Sequence, residues 1–135
     1  MTDWTLVKHF KRAEWVKNPD AVVPELVYLV DGLRDYVGRP VVIHVAFDDA
    51  GHVEDSAHYM GAAVDLHVQG LSLMDQWLAA ERFPFLGVGL YPFWEHPGLH
   101  LDVRRVGAEH GPGRRWWRDK QGQYQPFTAD FIRSL

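Results

Sequence analysis

Three polar side chains from two segments of the sequence constrain this chain most: His58, Asp65 and His100. His58 and Asp65 lie in the segment Ser-Ala-His-Tyr-Met-Gly-Ala-Ala-Val-Asp, and His100 lies in the separate segment His-Leu-Asp. Two imidazoles and one carboxylate suit a catalytic zinc that keeps a fourth position open for water. If these residues share one site, the fold has to bring the two separate segments together.

The composition indicates a globular protein of 135 residues, and we expect residues 1–135 to form a single domain. The net charge of -4 offers no basic surface, so nucleic acid is not an expected partner. The chain has no cysteine, which excludes thiolate zinc sites, disulfides and cysteine nucleophiles. Any bound metal must therefore use His, Asp or Glu.

Targeting and membrane signals are not visible in the sequence. The first residues, Met-Thr-Asp-Trp, lack the basic region and apolar run of a signal peptide. No apolar run is long enough to cross a bilayer, so we expect no membrane partner. The location stays open between a cytoplasmic protein and a phage-derived protein or one exported by another route.

Hydrophobic periodicity predicts an α+β fold, with a small, mostly antiparallel sheet flanked by helices. The clearest helix covers residues 24–37, where Pro24 suits the first turn and Gly38 follows the last apolar position. A short extended piece and a helical turn at residues 10–16 are expected before it. Later elements are expected as strands at 41–47, 62–68, 85–90 and 99–103, a helix at 73–82, a hairpin around Trp116 and Tyr124, and a terminal helix at 128–135.

Strand periodicity predicts which polar side chains share a face of the sheet. Residues two apart point the same way, so His100 should lie on the same face as Asp102, and Asp65 on the same face as His67. Two neighbouring strands could thus present these groups to one spot, with their apolar residues on the opposite face.

The loop before the second of these strands is expected to place His58. Ser56 could hold that loop with a local hydrogen bond, and Gly61 would allow close backbone packing. A basic cluster, Arg114-Arg115-Trp116-Trp117-Arg118, leaves two interpretations open. It could contact an anionic substrate or a sugar, or it could form an edge strand capped by arginines.

The motif Ser56-x-His58-x-x-Gly61-x-Ala63-x-Asp65, followed by His-x-Asp at residues 100–102, resembles peptidase family M15. This family includes zinc D-alanyl-D-alanine carboxypeptidases and dipeptidases, and murein endopeptidases of bacteria and phages. The resemblance covers residues 8–127. It implies zinc held by the two histidines and the aspartate of the motif. It also implies a metal-activated water that hydrolyses cell-wall peptides containing D-amino acids, with a peptidoglycan-derived peptide as substrate.

The same motif is similar to the zinc-binding signalling domain of hedgehog proteins. Those domains keep a peptidase-like zinc site but act by binding partners, which implies a second possibility, a non-catalytic zinc-binding recognition module. The acidic loop of that family also binds Ca²⁺. Its counterparts here are Asp48, Asp49, Glu54 and Asp55, for which a solvated acidic loop is the alternative.

A metallopeptidase also needs a general base within reach of the water. Many family members have a glutamate three residues before the last histidine, where this chain has Pro97. Glu95 and His96 lie on the same loop and are the first candidates to replace it. His52 could approach from the other side, as in the hedgehog-like arrangement, and Asp102 could orient the last histidine or assist the base.

A second departure concerns the substrate. Several relatives carry a Tyr-Arg pair soon after the first strand, with the arginine near the substrate. This chain has Phe47-Asp48 there, so the resemblance supplies no arginine at that position.

Overall fold

A six-stranded sheet and three helices form the fold in our computed structural model, which describes residues 1–52, 56–104 and 113–135. The strands are β1 (Val41–Val45), β2 (Ala63–Val68), β3 (Gly87–Tyr91), β4 (Gly98–Asp102), β5 (Arg114–Arg118) and β6 (Tyr124–Pro126). The helices are α1 (Pro24–Val37), α2 (Leu73–Ala80) and α3 (Ala129–Ser134). The predicted α+β class is confirmed. No helix in the described ranges is long and apolar enough to cross a membrane.

The strand order is β1-β2-β4-β3-β5-β6, and every neighbouring pair is antiparallel except β3 and β5. The predicted hairpin is confirmed, because β5 pairs with β6 and Arg118 lies opposite Tyr124. The edge-strand interpretation of the basic cluster is wrong. β5 lies between β3 and β6, and β6 forms the edge.

The first two helices begin where the sequence signals indicate. α1 has the predicted bounds, and Gly38 ends it in the left-handed conformation with φ 62° and an N–H that donates to the Arg34 carbonyl at 3.0 Å. In α2, the Ser72 hydroxyl caps the helix by accepting from the Asp75 N–H at 3.1 Å. α2 ends at Ala80, two residues before the predicted end.

Strand β3 begins two residues after its predicted start at residue 85, and α3 covers 129–134 of the predicted 128–135. Two other segments also differ from the prediction. The N-terminal piece at residues 4–6 is a 3-10 turn rather than an extended segment, because the Asp3 carboxylate accepts from the Thr5 N–H at 3.0 Å and starts a turn. Strand β1 ends at Val45 instead of residue 47. Its pairing with β2 is irregular between Ile43 and Val45, and the chain then turns toward the loop that precedes the histidine motif.

The sheet has one apolar face and one polar face. The apolar face contributes fully buried side chains to the hydrophobic core, together with those of α1; in the sheet they include Val64, Leu66, Val88, Leu90, Leu99 and Leu101. Full burial of one such side chain stabilises the fold by about 1.5–3 kcal/mol. Asp65, His67, His100 and Asp102 alternate with these residues, so they lie on the opposite face, as predicted.

Candidate metal centre

His58 is held by a short 3-10 helix, Ala57–Met60, that precedes β2. The Ser56 hydroxyl accepts from the His58 N–H at 3.2 Å, which is the local hydrogen bond that the sequence predicted. Gly61 ends the turn with φ 65°, and a Cβ there would lie 1.8 Å from the Ala21 carbonyl oxygen. Only glycine fits this close approach, so Gly61 fixes the position of the histidine turn.

The His58 ring is buried and has a defined tautomer. Its Nδ1 lies 2.8 Å from the Ala46 carbonyl oxygen, which can only accept, so Nδ1 carries the proton and donates it. Nε2 of the neutral ring is therefore an unprotonated nitrogen. It faces Asp65 Oδ1 at 3.3 Å.

His100 is fixed by two aspartates. Asp65 and His100 are directly paired across β2 and β4, and His100 Nδ1 lies 3.1 Å from Asp65 Oδ1. The other ring nitrogen, Nε2, donates to Asp102 Oδ2 at 2.9 Å. Asp102 is 1% exposed and also accepts from the Arg114 guanidinium and, at 3.1 Å, from the Arg104 N–H. Because Asp102 fixes the proton on Nε2, Nδ1 is left for the shared centre.

These residues could hold a metal ion. Within the described ranges, one ligand atom each from His58, Asp65 and His100 lies within 4.8 Å of the others. The separations of 3.3 Å and 3.1 Å are close to the edge of a tetrahedron with bonds of about 2.0–2.1 Å, which is about 3.3–3.4 Å. With both rings neutral, the nitrogen lone pairs of the two histidines face an Asp65 carboxylate oxygen and repel it. A cation bound between these atoms would remove the repulsion, because all three could then act as its ligands.

The ionisation of Asp65 and His100 agrees with a strongly coupled centre. Burial alone would raise the pKa of Asp65, but the hydrogen bond from protonated His100, together with its charge, outweighs burial and holds that pKa well below its usual range. Burial alone would lower the pKa of His100, but hydrogen bonds with Asp102 and Asp65 outweigh it and raise that pKa to about 9. Without a metal, a proton on His100 takes the place of the cation between the two carboxylates.

Two candidate bases line an open cleft beside the centre. The cleft has a volume of about 350 Å³ and is lined by His44, Val45, Asp65, Trp94, Glu95 and His96. Glu95 and His96 are both exposed, and His96 stacks on His67 with ring centroids 4.8 Å apart. The structure therefore brings both predicted bases to the cleft that one metal-ligand candidate also lines.

The other two catalytic candidates lie behind the ligands. His52 stacks on His58 with centroids 4.6 Å apart, and its Nε2 is 3.0 Å from Asp48 Oδ2. Asp102 touches Nε2 of His100, on the far side of the ring from Asp65. Asp102 is thus in the orienting position that the sequence suggested, and His52 supports the ring face of His58.

The sequence interpretation did not include a second histidine cluster on the same face. His44, His67 and His96 stack in sequence, and His44 Nε2 lies 2.6 Å from His67 Nδ1. Burial, followed by the neighbouring His44 and His96, lowers the pKa of His67. One signal could have revealed this cluster, because His44 is the only polar residue in β1.

The acidic loop predicted as a possible Ca²⁺ site is contacted by a lysine from the N-terminal part of the chain. Lys17 pairs with both Asp48 and Asp49, with Nζ 2.7 Å from Asp49 Oδ1. The hydrogen bond from Lys17 holds the pKa of Asp48 well below its usual range and outweighs burial, which alone would raise it. Glu54 and Asp55 lie outside the described residues. In the described part of the loop, the carboxylates predicted to bind Ca²⁺ therefore contact the ammonium group of Lys17 instead.

Two arginines of the basic cluster are used in ion pairs with the fold itself. Arg114 pairs with Asp102, as described above. Arg115 pairs with Glu81 through Nε and Oε1 at 2.6 Å, which ties β5 to the end of α2. Their guanidinium groups are therefore engaged by protein carboxylates.

No protein-family model and no curated protein matches this chain. The geometry of the metal centre and the motif that forms it are the features that indicate a function.

Proposed function

We propose that this protein is a zinc-dependent peptidase that hydrolyses cell-wall peptides containing D-amino acids. A peptidoglycan-derived peptide would be its substrate. One observation carries the proposal: ligand atoms of His58, Asp65 and His100 converge at the side of an open cleft that also holds Glu95 and His96. The resemblance of the motif to zinc peptidases supports the same conclusion.

The donor set favours zinc among the common metals. Two imidazole nitrogens and one carboxylate oxygen are typical of catalytic zinc sites, whereas Ca²⁺ and Mg²⁺ prefer oxygen ligands. The spacing of the ligand atoms fits bonds to zinc, as described above. Bound zinc would acidify a water molecule and polarise the peptide carbonyl.

The protein side chains divide the remaining work. Asp102 holds the His100 ring through Nε2, and the Ala46 carbonyl does the same for His58 through Nδ1. The base would be Glu95 or His96, which take a proton from the water and return it to the leaving amine. Trp94 forms part of the cleft wall, where it excludes water and contacts the peptide.

A second candidate function is a zinc-binding recognition module without turnover. The observation that favours it is the position of the two bases. His96 stacks on His67 rather than on a metal ligand, and Glu95 is exposed. A protein that only binds a partner would need the zinc centre for its fold and would not need either base.

The first experiment tests the metal. Zinc in the purified protein should be close to one equivalent by elemental analysis, and His58→Ala should lose it. His9→Ala is the matched control, because His9 is a histidine that pairs with Asp35 at 2.7 Å, away from the motif. A full equivalent of zinc in His58→Ala would contradict the assignment.

The second experiment tests turnover. The zinc-loaded protein should release D-alanine from, or cleave, muropeptides, and a chelator should stop the reaction until zinc is restored. Glu95→Gln and His96→Ala then identify the base, because the variant that lacks it should lose about 100-fold or more in kcat with unchanged zinc content. Zinc binding without cleavage of any peptidoglycan fragment would support the recognition module.

A further inference from the structure

A second cleft shares Trp94 with the cleft at the metal centre. It has a volume of about 250 Å³ and is lined by Tyr91, Phe93, Trp94, Arg118, Asp119, Lys120 and Gly122. Trp94 also lines the first cleft, so the two spaces share one wall. A ligand that crosses Trp94 would reach both.

The charge of this second cleft is positive despite the presence of Asp119. The Asp119 carboxylate accepts from the N–H groups of Gln121 at 3.0 Å and Gln123 at 2.8 Å, and from the Gln125 side chain at 3.0 Å. These hydrogen bonds, above all the one from Gln123, lower the pKa of Asp119. Both carboxylate oxygens already accept hydrogen bonds from neighbouring residues of the chain. Asp119 is thus occupied in shaping the β5–β6 turn.

Two cations of the cleft have no such partner. Across residues 1–52, 56–104 and 113–135, no carboxylate lies within ion-pair distance of Arg118 or Lys120. They differ in this from Arg114 and Arg115, which are ion-paired. In a chain with a net charge of -4, two cations without an ion pair to any described residue are a local excess of positive charge in one concave site.

Arg118 is held in place for an incoming anion. Its Nε donates to the Gly122 carbonyl at 2.9 Å, and its guanidinium lies over the Tyr124 ring at 4.9 Å from the centroid. Its Nη1 donates to the Tyr124 hydroxyl at 3.3 Å, whereas Nη2 has no hydrogen-bond partner among the described residues. Because the side chain is already ordered, binding an anion through Nη2 costs little conformational entropy.

An aromatic wall joins the two clefts. Tyr91 stacks on Trp94 with centroids 4.2 Å apart, and the Tyr91 hydroxyl accepts from the Trp116 indole N–H at 3.4 Å. The Trp116 ring in turn lies 5.1 Å from the His100 ring. A series of contacts between rings therefore connects His100 to Trp94, which lines both clefts.

We propose that Arg118 and Lys120 form a subsite for a carboxylate of the substrate peptide, at a residue outside the scissile bond. The peptide would lie across Trp94, with its scissile bond at the metal centre and its acidic group in the second cleft. This inference rests on the proposed function for the identity of the ligand as a wall peptide. It assigns the substrate an acidic residue, recognised by cations on β5 and its turn rather than by an arginine after β1.

The test compares two peptides that differ only in this charge. The probes are the pentapeptide L-Ala-γ-D-Glu-L-Lys-D-Ala-D-Ala and the same peptide with the free glutamate carboxylate converted to its amide. Affinities are measured by NMR titration of the tryptophan indole N–H signals, with the zinc-loaded protein and again after chelator treatment. Wild-type protein should bind the acid about tenfold more tightly than the amide.

The variants locate the preference in the second cleft. In Lys120→Gln and in Arg118→Gln, the preference for the acid should fall to about threefold or less, because one of two cations is gone. Lys8→Gln removes one exposed lysine charge elsewhere and should retain the full preference. If Arg118→Gln disturbs the turn, the preference for the acid in Lys120→Gln still tests the subsite.

Three results would overturn the subsite. The first is equal affinity for the acid and the amide, and the second is an unchanged preference for the acid in Lys120→Gln. The third is displacement of the acid peptide by millimolar inorganic phosphate, which would indicate a general attraction of anions. Failure of the peptidase proposal is distinguishable, because binding needs no turnover. A carboxylate preference that depends on Lys120 but comes without cleavage would retain the subsite and remove the enzyme. If neither peptide binds, the subsite is refuted as well.

Discussion

Replacement of Asp102 by asparagine tests the arrangement around His100 most directly. Asp102 is 1% exposed, accepts from His100 Nε2 at 2.9 Å and pairs with Arg114. Asparagine keeps the size of the side chain but removes its charge. The His100 ring would then lose the partner that fixes its proton on Nε2 and leaves Nδ1 free for a metal.

The structure indicates two separable effects of Asp102→Asn. Loss of a carboxylate that orients a ligand histidine typically weakens metal affinity by about 10–100-fold, equivalent to about 1.4–2.7 kcal/mol. The ion pair with Arg114 is also lost. Removal of one partner from a fully buried pair costs about 3–5 kcal/mol, but Arg114 is 23% exposed, so a cost of about 1–3 kcal/mol to the free energy of unfolding is expected.

Arg114→Gln is the matched control, because it breaks the same ion pair and leaves the contact between Asp102 and His100 in place. Zinc affinity is measured by competition with a chromogenic chelator, and stability by urea unfolding of the metal-free proteins. Both variants should be destabilised, but only Asp102→Asn should lose tenfold or more in zinc affinity. The orienting role of Asp102 would be refuted if Asp102→Asn bound zinc with an affinity within about threefold of wild type, or if Arg114→Gln lost as much zinc affinity as Asp102→Asn.

Three further predictions concern protonation and close packing. Because the pKa of His100 is raised to about 9, its proton stabilises the metal-free fold below about pH 6.5, and this contribution disappears as the pH rises through about 9. The free energy of unfolding of the metal-free protein, measured with urea, should follow this trend. Zinc affinity should instead rise by about tenfold per pH unit up to about pH 9, since the metal displaces that proton. A zinc affinity independent of pH between 6 and 8 would contradict the assigned proton. Gly61→Ala should lower the free energy of unfolding by about 2–4 kcal/mol, because the new Cβ would lie 1.8 Å from the Ala21 carbonyl oxygen at φ 65°; wild-type stability by urea titration would disprove that contact. Gly89→Ala places a Cβ 2.5 Å from the Trp116 indole, so it should shift that indole signal in NMR spectra and cost about 1–3 kcal/mol; an unmoved signal would contradict the packing.

Local signals in the sequence predicted the elements that depend on neighbouring residues. α1 has the predicted bounds because its stop signal, Gly38, acts within a few residues. The polar face of β2 and β4 was predictable because strand alternation needs only the sequence. The failure at residues 4–6 has a local cause as well, since the Asp3 cap outweighed the apolar pattern.

The contacts that complete the site depend on tertiary pairing and carry no such signal. The Ala46 carbonyl fixes the His58 tautomer only because the chain turns after β1, and any residue type could supply that oxygen. Trp116 reaches His100 because β5 pairs in parallel with β3, a pairing between strands that are distant in the sequence. The sequence motif can identify ligands, but it cannot identify the backbone groups and rings around them.

Strand β3 shows how the sheet concentrates these groups at one point. Gly87 lies opposite Asp102 and Gly89 opposite His100, so β3 places no side chain on the polar face at these two positions. A Cβ at Gly87 would lie 2.2 Å from the Asp102 carboxylate, and one at Gly89 would meet the Trp116 indole. The two glycines thus provide the space in which a carboxylate from β4 and an indole from β5 both approach the same imidazole. Substitutions at these glycines should therefore disturb the positions of the metal ligands. Substitutions at the alternate position Val88, in the apolar core, should instead reduce stability and leave the ligand positions unchanged.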